Sequence, residues 1–97
     1  MESNSNEKII NLLDRAINLL ATHNQEQWAG FLQNAKKNFV GSDDKAQAVE
    51  PIIKSMLGGM GSLSDVVLHK NGKPLLDENN ELYVLLNELY DECKSLQ

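Results

Sequence analysis

Apolar residues recur at helical spacing, about 3.6 residues per turn, in four stretches of this chain. From about Asn6 to Thr22, Ile9, Ile10, Leu12, Leu13, Ala16, Ile17, Leu19 and Leu20 fill one half of a helical wheel drawn at about 100° per residue. Asn11, Asp14, Arg15, Asn18 and Thr22 fill the other half, so the segment predicts a strongly amphipathic helix. Ser5 or Asn4 is placed to cap it, Glu7 suits its first turn, and residues 1–5 are expected to be disordered. A stripe half a turn wide needs more than one packing neighbour.

His23 and Asn24 interrupt the pattern, and a second helix is expected from about Gln25 to Phe39. Trp28, Phe31, Leu32, Ala35 and Phe39 share a narrow arc, and three of the chain's five aromatics anchor the core from this face. Gly41 reads as its stop. Ser42 then caps a third helix, with Asp43 and Asp44 in its first turn and Ala46, Val49, Ile52, Ile53, Met56 and Leu57 inside. Pro51 lacks the N–H an interior position needs, so it kinks or restarts this helix.

The Gly58-Gly59-Met60-Gly61 run ends the third helix, and Ser62 to Leu68 is apolar with a β-branched centre at Val66-Val67. Asn71-Gly72 is the strongest short turn signal in the chain and admits a short hairpin from Val66 to Leu76, which would need the helices for support. A last helix starts near Glu78 to Asn80 and runs to about Ser95. Leu82, Leu85, Leu86, Leu89, Cys93 and Leu96 form its inner arc, flanked by Tyr83 and Tyr90. The expected fold is all-α: one domain over residues 1–97, a compact four-helix bundle-like unit with a glycine-rich loop between helices three and four.

Composition narrows the function classes. At 97 residues and 41% hydrophobic content the chain has one core and room for no second domain. Its formal charge of −5 argues against direct nucleic-acid binding, which needs a basic face, and suits a basic protein partner. Cys93 is the only cysteine, so no internal disulfide forms and a reduced, cytoplasmic setting is expected. No apolar run approaches the ~20 residues needed to span a bilayer, and the N-terminus has no signal-peptide pattern.

The chain lacks the usual catalytic and metal-binding patterns. His23 and His69 stand far apart and outside any ligand-spaced motif, so no metal site is expected. Ser62 and Ser64 lie near Asp65 and His69, but a serine nucleophile also needs an oriented base and an oxyanion site, and a turn or capping role explains both serines. Cys93 on an apolar arc reads as a buried, inert thiol. The glycine run follows a helix rather than a strand and lacks the P-loop lysine, so Gly58, Gly59, Gly61 and Asp65 are read as a structural loop and no cofactor is expected.

One charge pattern remains. Asp77, Glu81, Glu88 and Glu92 fall within a band of about 60° on the last helix, with Asp91 and Glu78 beside it and Lys94 opposing. Most such runs are simply solvated. As a functional surface, Asp77, Glu81, Glu88, Asp91 and Glu92 would meet a basic partner such as a nuclease's substrate groove.

The stretch Met56-Leu57-Gly58-Gly59-Met60-Gly61-Ser62-Leu63-Ser64-Asp65-Val66-Val67-Leu68 resembles the signature of a family of small bacterial helical proteins. In that family a Gly-Gly-Met-Gly-Ser run closes a helix, and an apolar residue, a polar residue, Asp and an aliphatic triplet follow. The Leu89-Tyr90 pair and the Asp43-Asp44, Ala46 and Ala48 positions extend the likeness over about residues 43 to 93, and Pro51 departs from it. Members of such families include immunity proteins of contact-dependent growth inhibition and related polymorphic toxin systems. The resemblance implies a partner: the C-terminal toxin domain of a neighbouring large exoprotein, a nuclease with an RNase favoured. It carries over no binding residue, because the shared motif is structural. The competing readings are a helical adaptor or regulatory protein, homodimeric or not, and, more remotely, a small enzyme.

Overall fold

The computed structural model describes residues 5–57 and 62–97, the side chain of Ser5 excepted. The expected roles of Gly58, Gly59 and Gly61 therefore lie outside the described residues, as does the expectation for residues 1–4. Ser5 already belongs to the first helix.

The fold is all-α, as the periodicity predicts. Helix α1 spans Ser5–Thr22 and α2 spans Glu26–Gly41. Two short helices follow, α3 at Lys45–Ala48 and α4 at Glu50–Ser55, then a single 3-10 turn at Leu63–Asp65. Strands β1, His69–Lys70, and β2, Lys73–Pro74, form a minimal hairpin before α5, Leu76–Ser95. α1 packs against both α2 and α5, as its wide stripe requires, and α4 packs against α5 and α2. Ile9, Leu13, Ala16 and Leu20 of α1 are fully buried with Leu32 and Phe39 of α2, Val49 and Ile52, and Leu89 and Cys93 of α5. The core holds no buried polar or charged residue among those described.

Local chemistry sets the boundaries. α1 ends in a Schellman motif: Asn24 takes φ 67°, the Gln25 N–H donates to Leu20 O at 2.8 Å, and the Asn24 N–H donates to Ala21 O at 3.4 Å. α2 does stop at Gly41, but by a different device from a left-handed glycine, since Ser42 continues in extended backbone. Instead the Lys45 ammonium donates to the carbonyls of Phe39, Val40 (3.2 Å) and Ser42 (2.8 Å) at the helix end. That ammonium also lies 4.9 Å from the centroid of the Phe39 ring. A cation there offsets the negative end of the helix dipole.

The third helical stretch differs from expectation in two ways. Its N-cap is Asp44, whose carboxylate accepts the Gln47 N–H at 3.1 Å, and not Ser42. Ser42 instead accepts the Asp44 N–H at 3.1 Å, forming a turn that delivers Asp44 to the cap position. The stretch also breaks at Val49 and restarts, with Pro51 in the first turn of α4, where a missing N–H costs nothing.

The hairpin forms where Asn71-Gly72 signals it. Both residues take positive φ, 54° and 78°, as a type I′ turn demands. His69 pairs with Pro74 and Lys70 with Lys73. The ladder extends by the Leu75 N–H donating to Leu68 O at 2.9 Å. α5 begins at Leu76, two to four residues before the expected start, so Asp77 and Glu78 sit in its first turn, where their charge favours the helix.

Candidate protein-binding surface

The side chains considered for catalysis do not assemble. The Ser64 hydroxyl donates to Met56 O at 2.6 Å, which ties the 3-10 turn to the end of α4. His69 is exposed on β1, while His23 uses Nδ1 against Leu19 O at 2.9 Å near the end of α1. Cys93 is fully buried, and burial, with the Glu92 carboxylate adding to it, pushes its thiol up to about 12. A thiol held there is not a nucleophile at neutral pH. Among the described residues no three His, Cys, Asp or Glu side chains converge on a metal position. Among the described residues no helix is long and apolar enough to cross a membrane.

The acidic residues of α5 occupy several environments. Asp77 is exposed in the first turn, and Glu81, Glu88 and Asp91 are exposed further along. Glu92 is half-buried and pairs with Lys8 of α1 at 3.2 Å. Lys8 and Arg15 also line the shallow depression that holds Glu88, Asp91 and Glu92. The band is therefore partly neutralised by α1, which periodicity within α5 alone could not reveal.

A second surface was not visible in the sequence. On the other flank of α5 runs an apolar groove of about 470 Å³. Met56, Leu57, Val66 and Val67 form one wall and Leu82, Tyr83, Leu86 and Tyr90 the other, with Ser64, Asn79 and Asn87 as its polar members. Tyr83 is 68%, Leu57 53% and Val67 45% exposed. Leu57 was expected to face the core. Helix α4 ends at Ser55, and Leu57 instead lines this groove. Among the described residues no charged side chain lines it.

Asn79 fixes the groove's geometry. Its Oδ1 accepts the Leu68 N–H at 2.7 Å and its Nδ2 donates to Leu68 O at 3.0 Å. The chain carrying Val66 and Val67 is thereby clamped alongside α5. Drawn at about 100° per residue, the exposed face of α5 resolves into rows spaced seven residues apart. Tyr83 and Tyr90 border the groove, then Asn80 and Asn87, then Asp77, Val84 and Asp91 on the crest, then Glu81 and Glu88 towards α1.

Magnitudes rank the two flanks. Fully burying one large apolar side chain is worth about 1.5–3 kcal/mol, whereas an exposed ion pair is worth about 0–1 kcal/mol. Tyr83, Leu57 and Val67 thus offer more binding energy than the acidic band, which is suited to steering and rim contacts.

No curated protein and no solved structure matches the chain. A family model does match, from the end of α1 to the first residue of α5, and so covers the α4 and Val66–Val67 wall of the groove but not the α5 wall. Because that match, over residues 21–76, spans more than half of the sequence, the chain belongs to the family described as a domain of unknown function, DUF6966.

Proposed function

We propose that this protein works by binding rather than catalysis, as a cytoplasmic immunity protein that occupies the active site or substrate groove of a cognate toxin domain. The observation that carries the binding part is the exposed apolar groove, with an acidic crest and band on the same helix. A protein interface wants an apolar anchor surrounded by charge, and α5 supplies both. The toxin part rests on the resemblance of the Met56–Leu68 stretch and on the net charge of −5. A nuclease domain, with an RNase favoured, must be basic where it holds phosphate, and an acidic inhibitor is steered to it. A standard interface takes ~800 Å² from each partner, about an eighth of the 6247 Å² exposed here, so the binding face is a main feature of the molecule.

The test is co-expression with the C-terminal domain of a large exoprotein encoded beside this gene. Restored growth and a one-to-one complex support the reading. A neighbouring toxin that kills equally well in its presence, with no complex formed, refutes it and leaves the adaptor reading.

A further inference from the structure

We infer that the apolar groove receives one amphipathic α-helix of a protein partner, about three turns long, with lysine or arginine along the flank that faces the α5 crest. This deepens the partner-binding reading above and rests on it. The shape argues for a helix. One wall is α5 from Asn79 to Tyr90, which spans about 16 Å at 1.5 Å per residue, or three turns. A cleft of about 470 Å³ takes a short series of side chains, matching the i, i+3/i+4, i+7 anchors of helix-in-groove recognition.

Strand addition is the other way to fill such a cleft, and it needs free backbone groups. Leu68, which follows the Val66–Val67 wall, offers none: its N–H is taken by Asn79 and its carbonyl by Asn79 and Leu75. The Val66 N–H already donates to Leu63 O at 3.2 Å. A helix satisfies its own backbone and asks the groove only for apolar contact.

Charge fixes the flank. The described lining carries no charged residue, so the occupant's buried face is apolar. Next to the tyrosines on α5 come Asn80 and Asn87, and the row beyond them holds Asp77 and Asp91 with the 53%-exposed Val84 between them. A helix seated along the tyrosine row sets one flank over Asn80 and Asn87, from which long side chains reach the two aspartates beyond. Lysine or arginine complements the two aspartates there, and glutamate is repelled.

The test uses the intact protein and two labelled synthetic helical peptides of four turns. Each carries leucine on one face; one has lysines along a single flank and its twin has glutamates. The lysine peptide should bind saturably and at least tenfold more tightly than the glutamate peptide. Val67→Asp, on an exposed wall, should abolish binding with the circular dichroism spectrum unchanged. Asp77→Lys with Asp91→Lys should reverse the preference between the two peptides. Equal binding of both peptides, binding that survives Val67→Asp, or a preference that survives the double reversal overturns the inference. So does self-association of the protein abolished by Val67→Asp, which makes a second copy the occupant. Peptide binding without toxin neutralisation refutes the immunity reading alone, and neutralisation without peptide binding refutes this inference alone.

Discussion

Asn79, in the first turns of α5, holds both backbone polar groups of Leu68, accepting its N–H at 2.7 Å and donating to its carbonyl at 3.0 Å. Leu68 is itself fully buried, so one amide side chain ties the linker to the helix at a point where water cannot substitute. In Asn79→Ala the carbonyl keeps its bond from Leu75, but the N–H loses its partner. An unsatisfied buried donor costs about 1–3 kcal/mol. Thermal unfolding should move down by several degrees, since about 1 kcal/mol corresponds to ~4–8 °C in a domain of this size. The Leu68 amide should also lose its protection from hydrogen exchange. An unchanged melting temperature with Leu68 still protected contradicts the clamp.

Two glycines should respond with opposite signs to the same change. Gly72 has φ +78° and Gly30 lies inside α2, and an added Cβ at either meets nothing within 4 Å. Space is therefore not the issue, and only the backbone decides. Gly72→Ala forces a left-handed conformation and should cost about 1–2 kcal/mol. Gly30→Ala in a helix interior should gain about 0.8–1.0 kcal/mol. Urea unfolding midpoints of the two variants check this, and a shift in the same direction for both contradicts it.

Lys45→Met keeps an apolar stem but removes the cation from the Phe39 ring and from the carbonyls of Phe39, Val40 and Ser42. The loss should be about 0.3–2 kcal/mol, the span from an exposed to a favourable partly buried charge at a helix end. Lys36→Met removes only the surface pair with Asp14 and should cost no more than about 1 kcal/mol. Measured side by side, Lys45→Met should be the more damaging; the reverse order contradicts the capping role.

Cys93 makes a prediction in pH. Its thiol is raised in the fold from 9.0 to about 12, so the folded protein holds this proton more tightly than the unfolded chain. The contribution is fully present below pH 9.0 and is lost as pH rises towards about 12. Stability attributable to this group should therefore be flat below pH 9.0 and fall between there and about 12, by no more than about 1.36 kcal/mol per pH unit. Native protein should resist thiol reagents at neutral pH until it is unfolded. A Cys93→Ala protein with the same alkaline slope as the original contradicts the assignment.

Elements governed by local rules were legible in the sequence. The α1 stripe, the Asn71-Gly72 turn and the restart at Pro51 each follow from spacing or from one residue's backbone chemistry. Choices between neighbouring candidates were not. Ser42 and Asp44 are both good caps, and only the turn that Ser42 builds gives the position to Asp44. The start of α5 was missed because Leu75 and Leu76 carry no capping side chain. The acidic band could be read, but its pairing of Glu92 with Lys8 joins residues at opposite ends of the chain. The groove was hidden for a different reason. Leu57, Val67 and Tyr83 look like core or flanking residues in sequence, and their exposure depends on where the linker is clamped.

The central claim is that the groove flank of α5 anchors a protein partner while its acidic residues steer it. The direct test is the kinetics of toxin-domain binding by three proteins: the original, Val67→Asp, and the triple variant Glu81→Lys, Glu88→Lys, Asp91→Lys. Val67→Asp should raise the dissociation rate by roughly 30- to 700-fold, as loss of an anchor costing ~2–4 kcal/mol requires. The triple reversal should chiefly lower the association rate and weaken its dependence on salt. Val67→Asp binding as tightly as the original, with the same dissociation rate, contradicts the claim.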